Sequence, residues 1–400
     1  MVQVYPLGLV TILGCVHMCQ WFLKILASIN AIPTEYDTLH TVLQKSLKIA
    51  DKSSVNTVVV VMDEATYAKA QQIRWTSEVF RNRIVMRLGE FHVSMAYLAC
   101  IGSRFGDAGL RDLLIESNIV AQGSINGVLN GHHYNRSVRT HKLAADALSR
   151  LRWLAFLDTL NDQQREEIRM VLADLHESYL SNTILDFVRM DELKMLQQQC
   201  QQFISRHSAV NPTFALWSSY LEMVQLLLPF FRATREGNWE VHLSTVRSML
   251  PWFFACDRVH YSRYLPVYWL EMKNLLESRP DVHENLSAGE FVVQRQDQFG
   301  FSQIACDQTI EQTCNRDTKT KGRLTGFTLN RGAVHRWILS SHERAAITKE
   351  CQTMAGKFLH SRKKDLDKTR ICKDEEHTNL VMATVESMIN PFEPDQHQLG

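Results

Sequence analysis

Two strand-like runs end on groups that can do chemistry. Thr57-Val58-Val59-Val60-Val61-Met62 stops at Asp63, and Ile84-Val85-Met86-Arg87-Leu88-Gly89 stops at Glu90-Phe91-His92. Carboxylates such as Asp63 and Glu90 can bind a hard cation or accept a proton. An imidazole such as His92 can ligate a metal or move a proton near neutral pH. Open α/β sheets bind ligands beyond the carboxyl ends of their strands. If the two runs are neighbouring strands, their ends bring Asp63, Glu90 and His92 near one another. Each group also has a structural reading. An Asp after a strand is commonly the N-cap of the next helix, and a His after an apolar strand is more often a hydrogen-bonded structural residue. At this point both readings stay open.

The elements that would position these groups are legible from periodicity. The valine run has neither a helical nor an alternating period, so it reads as a strand buried on both faces, in the middle of a parallel sheet. Thr38 to Ala50 carries Leu39, Val42, Leu43, Leu47 and Ile49 close to one helical face. Asp63 to Trp75 reads as the next helix, and 84–88 as the second strand. A β-α-β unit of this kind implies a parallel pair with a right-handed crossover. From Phe91 onward the pattern is mainly helical, with Gly102, Gly106 and Gly109 marking a loop. Helices follow over Tyr134 to Leu160 and Leu193 to Ile204, with another opening at Asn211-Pro212 (Asn as N-cap, Pro in the first turn). The helix carrying Trp239, Leu243, Val246, Leu250 and Phe253 shows an aromatic stripe that is core rather than a cofactor contact. The expected fold class is therefore α/β and predominantly helical, around a small, mostly parallel sheet with its central strand at 57–62. The expected organisation is an atypical apolar segment over 1–28, an α/β part over 29–130 and a helical region over 131–290. A basic, loop-rich part over 291–345 and an exposed helical or disordered tail over 346–400 complete it.

Composition narrows the function classes. Hydrophobic content is 45% and charged content 22% in 400 residues, with a net charge of +1. Any basic surface must then be local. The nine cysteines include no C-x-x-C pair and no zinc set, and they read as reduced thiols of an intracellular protein, nuclear or cytoplasmic. No cation precedes the apolar stretch from Leu7 to Val16, so it does not read as a secretory signal. His17 and Gln20 interrupt it short of the about 20 residues a membrane span needs. A buried strand or helix is the favoured reading there, and a membrane anchor the minority one. His132-His133 near His141 resembles a metal cluster, but it follows the turn signal Asn130-Gly131 and reads as an exposed loop. There is no Walker loop, dinucleotide fingerprint or serine elbow, hence no small-molecule cofactor motif.

Two basic stretches could meet phosphates. Arg316, Lys319, Lys321, Arg323, Arg331 and Arg336 are interleaved with Gly322, Gly326 and Gly332, and Trp337 is close by. A glycine-containing loop of cations beside an aromatic can track a DNA or RNA backbone. The second stretch, Lys357 to Arg370, is diluted by Asp365 and Asp367 and reads as a solvated face.

Several motifs together resemble a known family. They are Val60-Val61-Met62-Asp63-Glu64-Ala65-Thr66-Tyr67-Ala68-Lys69, Arg87-Leu88-Gly89-Glu90-Phe91-His92, Gly106-Asp107-Ala108-Gly109-Leu110-Arg111-Asp112-Leu113 and Tyr134-Asn135-Arg136. Further on come Arg235-Glu236-Gly237-Asn238-Trp239, Tyr261-Ser262-Arg263-Tyr264-Leu265-Pro266-Val267-Tyr268, Asp307-Gln308-Thr309-Ile310-Glu311-Gln312-Thr313 and Gly326-Phe327-Thr328-Leu329. In this order they resemble a multicopy family of uncharacterised, transposon-associated animal proteins, over about residues 29–345. Residues 1–28 depart from that pattern.

The resemblance implies one chemistry, that of a ribonuclease-H-like transposase core, or its descendant, with a large helical insertion. Such a core clamps the attacking and leaving phosphate oxygens between two divalent cations, Mg or Mn, held by converging carboxylates. Asp63 would be the first acid, Asp257 a middle candidate, and Asp307 or Glu311 the last. Asp307 and Glu311 are four apart and share a face if that segment is helical. The structural alternatives are caps at Asp63 and Asp257 and a solvated helix face for Asp307 and Glu311. Two functions follow. One is a transposon-derived, nucleic-acid-associated protein, its activity retained or lost. The other is a non-catalytic helical protein that binds another protein.

Overall fold

The computed structural model describes residues 34–181, 189–294, 301–312 and 367–393. It also describes the short stretches 9–10, 13–15 and 29–30, and scattered positions between 330 and 356. The strands are β1 (Leu9–Val10), β2 (Leu13–Cys15), β3 (Ile29–Asn30), β4 (Val58–Met62), β5 (Ile84–Leu88), β6 (Val292–Val293) and β7 (Ile304–Ala305). The first helices are α1 (Tyr36–Lys52), α2 (Glu64–Thr76), α3 (Glu78–Arg83), α4 (Glu90–Phe105), α5 (Leu110–Glu116) and α6 (Ile125–Leu129). Long helices follow: α7 (Tyr134–Asp158), α8 (Asp162–Leu180), α9 (Met190–Val210), α10 (Pro212–Glu236), α11 (Trp239–Ala255) and α12 (Val259–Lys273). The last are α13 (Leu275–Ser278), α14 (Pro280–Asn285), α15 (Cys306–Ile310) and α16 (Lys368–Met388).

The chain is predominantly helical and divides into two compact units that interleave along the sequence. One comprises Met1–Cys100 and Leu226–Arg362, the other Ile101–Gln225 and Lys363–Gly400. The consecutive blocks expected from the sequence pattern do not coincide with these units.

The first unit holds the three-stranded sheet, in the order β2-β4-β5. The β4–β5 ladder is parallel, with Val58 opposite Ile84 and Met62 opposite Leu88, while β2 runs antiparallel to β4. The valine run is thus the central strand, as expected, although only one of the two ladders is parallel. All five β4 residues are buried. Residues with apolar neighbours on both faces need no alternation, which is why the run shows none. α1 and α15 pack on β4, and α12 packs on α2 and β5. Cys306 at the start of α15 lies against Val61, with Val293 and Ile310 beside them. That packing fixes where the late acids fall.

The second unit is a helical assembly in which α16 packs on α5 and α7. Its core includes His141, whose Nδ1 lies 3.0 Å from the Tyr220 hydroxyl, and Phe214, whose ring meets Phe392 edge-on at 5.3 Å. The tail over 346–400, expected to be exposed and helical or disordered, is helical over α16 and partly packed. Val381 and Val385 are buried along α16, and Phe392 is 1% exposed. The expected glycine loop also differs. Gly102 lies inside α4, where the Leu129 backbone occupies the space a side chain would take. Of the three neighbouring histidines, His132 and His133 are exposed, while His141 is in the core. Among the described residues, α10 alone is long and apolar enough to cross a membrane, and it buries Tyr220, Leu221, Val224 and Leu227.

Candidate functional site

Asp63 is the first residue beyond β4 and the N-cap of α2. Its extended backbone (φ −70°, ψ 167°) is that of a cap, and its Oδ1 accepts from the Thr66 N–H at 3.0 Å. The Thr66 hydroxyl also donates to that oxygen. Glu64 follows in the first turn, where a negative charge suits the helix dipole. Its carboxylate is mostly buried (11% exposed), and its Oε1 lies 3.6 Å from Nδ1 of the exposed His260 on α12.

The end of β5 is built around a buried ion pair. Arg87 and Glu90, each 1% exposed, are bonded to each other. Arg87 Nη1 also donates to the Phe291 carbonyl at 2.9 Å, and its guanidinium sits 5.4 Å from the Trp239 ring and 5.3 Å from that of Phe291. Glu90 is thereby committed to Arg87, three residues earlier in the chain.

Asp307 closes the site from far along the sequence. Its Oδ1 accepts from the Phe91 N–H at 3.2 Å, and its Oδ2 accepts from the His92 N–H at 3.0 Å. His92 Nδ1 lies 2.9 Å from the same Oδ2. One carboxylate therefore satisfies two first-turn donors of α4 and orients an imidazole. Gly89, buried at the end of β5, makes room for it. A Cβ there would fall 2.5 Å from Asp307 Cγ and 2.9 Å from its Cβ.

The charges converge. Burial alone would lower the His92 pKa, but the hydrogen bond and charge of Asp307, with the charges of Asp63 and Glu311, outweigh it and hold the imidazole up at about 8. The half-buried Tyr261 phenol is pushed well above its ordinary range by desolvation and by the charges of Glu64, Asp63 and Asp307. Burial raises Glu64 too, partly offset by His260 and reinforced by Asp63. When neutral, His92 can donate from Nδ1 to Asp307 and leave Nε2 as an acceptor. Such an Asp-oriented imidazole can take up and return a proton.

Of the acids and the imidazole singled out in the sequence, Asp63, His92, Asp307 and Glu311 meet in one electrostatic neighbourhood. Glu90 is turned to Arg87 instead. Asp257 sits exposed in the turn after α11 with φ 51°, and it is not among the charges that act on His92 or Tyr261. Lys319, Lys321, Arg323 and Arg331 lie outside the described residues; Arg336 is described and exposed. Sequence reasoning missed Gly89, Glu64, His260 and Tyr261. Glu64 alone carried a signal, being a second carboxylate beside Asp63 at a strand end. Among the described residues, no group of three or more His, Cys, Asp or Glu side chains is arranged to hold a metal ion.

A small sheet with acids gathered beyond its strand ends, embedded in a mainly helical chain, is the class of protein these features define. The chain belongs to the family described as Domain of unknown function (DUF8702), which matches residues 18–399. No curated protein and no solved structure matches it.

Proposed function

We propose that the chain is transposon-derived and that its first unit is a ribonuclease-H-like carboxylate site acting, now or ancestrally, on DNA or RNA. The observation that carries this reading is the Asp307 carboxylate, 2.9 Å from His92 Nδ1 beyond the strand ends, with the charges of Asp63 and Glu311 also acting on that imidazole. Asp63 lies at the carboxyl end of the central strand, which is where such a fold needs its first acid. Carboxylate oxygens are the donors that Mg and Mn prefer. Asp63, Asp307 and Glu311 would hold the cation, which would supply charge neutralisation for a phosphodiester. As the side chains stand they do not form a ready metal cluster, because Asp63 is bonded to Thr66 and Asp307 to His92. A cation would compete with the imidazole for Asp307.

Manganese binding followed by calorimetry and electron paramagnetic resonance tests the site. Wild type should bind Mn saturably. Asp63→Asn, Asp307→Asn and Glu311→Gln should each weaken binding at least about tenfold, a loss of about 1.4 kcal/mol. Asp63→Asn keeps a competent N-cap, so its stability should stay close to wild type. No saturable binding by wild type, or equal binding by the variants, removes the metal reading. For nucleic acid, replacing Lys319, Lys321 and Arg323 together with Ala should lower both affinity and its salt dependence, by about one unit of log–log slope for each phosphate no longer neutralised.

A second reading is favoured by the caps themselves. Asp63 and Asp307 each accept backbone N–H groups at a helix start, as purely structural acids do. The chain would then be a non-catalytic helical protein that binds another protein. The apolar residues Met170, Leu172, Tyr179 and Leu180, exposed on α8, support that alternative.

A further inference from the structure

Cys100 and Cys256 meet in the first unit, 156 positions apart in sequence. Cys100 lies on α4 and is fully buried, while Cys256 caps the C-terminus of α11 and is half-exposed. The Cys256 Sγ is 3.8 Å from the Cys100 carbonyl oxygen, and the neighbouring Cys256 side chain, with burial, raises the Cys100 thiol. The Arg258 guanidinium, which donates to the Ala99 carbonyl at 2.9 Å, stands beside the pair. Cys256 ends its helix immediately before Asp257, which takes a left-handed backbone at φ 51°. A residue at such a terminus can shift its side chain without disturbing a helix interior.

We propose that Cys100 and Cys256 form a reversible disulfide that staples α4 to the turn between α11 and α12. With the Cys256 Sγ 3.8 Å from the Cys100 carbonyl oxygen, the two side chains start in one neighbourhood, from which a bond of about 2.05 Å can close. The oxidant is a low-molecular-weight disulfide of the glutathione type. Cys256, the solvent-reached partner, attacks one sulfur of that reagent as the thiolate, and one small thiol leaves. Cys100 then gives up its proton and attacks the Cys256 Sγ. The protein S–S bond forms, the mixed disulfide breaks, and the second small thiol leaves. Two electrons pass from the two protein thiols to the reagent, and both protons end on its two thiol products. The neighbouring Cys256 side chain and burial push the Cys100 thiol well above its ordinary range. The first step therefore belongs to Cys256, and the second is slow.

The test treats the full chain, folded and without denaturant, with oxidised and reduced glutathione at a series of ratios. Remaining thiols are alkylated and the digest is mapped by mass spectrometry. The expected result is a peptide linked through Cys100 and Cys256, reversed by excess reduced glutathione. The exposed Cys351 and Cys372 should carry only mixed disulfides. In Cys100→Ser, Cys256 should accumulate as a lasting mixed disulfide. In Cys256→Ser, Cys100 should stay reduced. The proposal is overturned if wild-type Cys256 stops at the mixed disulfide, if Cys100 remains alkylated at every ratio that modifies Cys351 and Cys372, or if the linked peptide forms only in denaturant.

Discussion

Gly89 and Asp307 approach each other so closely that any side chain on the glycine would overlap the aspartate. Gly89 is not in a left-handed conformation, so the demand is one of space alone. Gly89→Ala should push the carboxylate off the Phe91 and His92 N–H groups and cost about 1–3 kcal/mol. Urea denaturation of Gly89→Ala, Asp307→Ala and the double variant checks this. The glycine substitution should cost much less once Asp307 is already absent, because the two effects share one point of approach.

His92 should titrate late. An NMR titration should place its pKa near 8. In Asp307→Asn, where the largest charge partner is gone, it should fall below that of wild type. The folded value lies above the unfolded one of about 6.5. Protonation of His92 therefore stabilises the fold fully below pH 6.5, and that contribution disappears as pH rises through about 8. Its size is at most about 2 kcal/mol.

His141 should act in the opposite direction. Burial lowers its pKa to about 4, so the folded chain keeps it neutral while the unfolded chain protonates below about 6.5. Its contribution is complete above pH 6.5 and is lost as pH falls toward 4, amounting to about 3 kcal/mol. Denaturation midpoints measured across that window should fall with acid. His141→Gln should remove about one proton's worth of the slope, leaving the part due to the similarly depressed, buried His242.

The Arg87–Glu90 pair supplies a fourth measurement. Glu90→Gln strands a buried guanidinium and should cost about 3–5 kcal/mol in a denaturant titration. The apolar pair Arg87→Met with Glu90→Leu should recover part of that loss, because no uncompensated charge is left inside.

The sequence disclosed local structure far better than long-range encounters. β4 and β5 were legible because β-branched runs without a period have few other uses. The N-cap at Asp63 followed from the strand end and the helix after it. The encounter of Asp307 with His92 spans 215 positions, and no spacing rule encodes it. It depends on Cys306 packing against Val61, a tertiary meeting of two small apolar residues of ordinary appearance. Gly102 misled for a related reason, since its use as a seat for the Leu129 backbone is invisible without that partner. Phe392 lies in a tail that reads as exposed, and the ring it packs against, Phe214, is far away in sequence.

Interleaving also sets a timetable for biosynthesis. The strand that seats Cys306 leaves the ribosome about 240 residues before Cys306 itself, and Phe214 waits a further stretch for Phe392. Chains emerge at about 5–20 residues per second, and domains ordinarily fold as they appear. Here neither unit can close its core until translation is nearly done. The nascent chain holds an open valine strand for many seconds, a period in which a chaperone that covers apolar strands would decide how much of it survives.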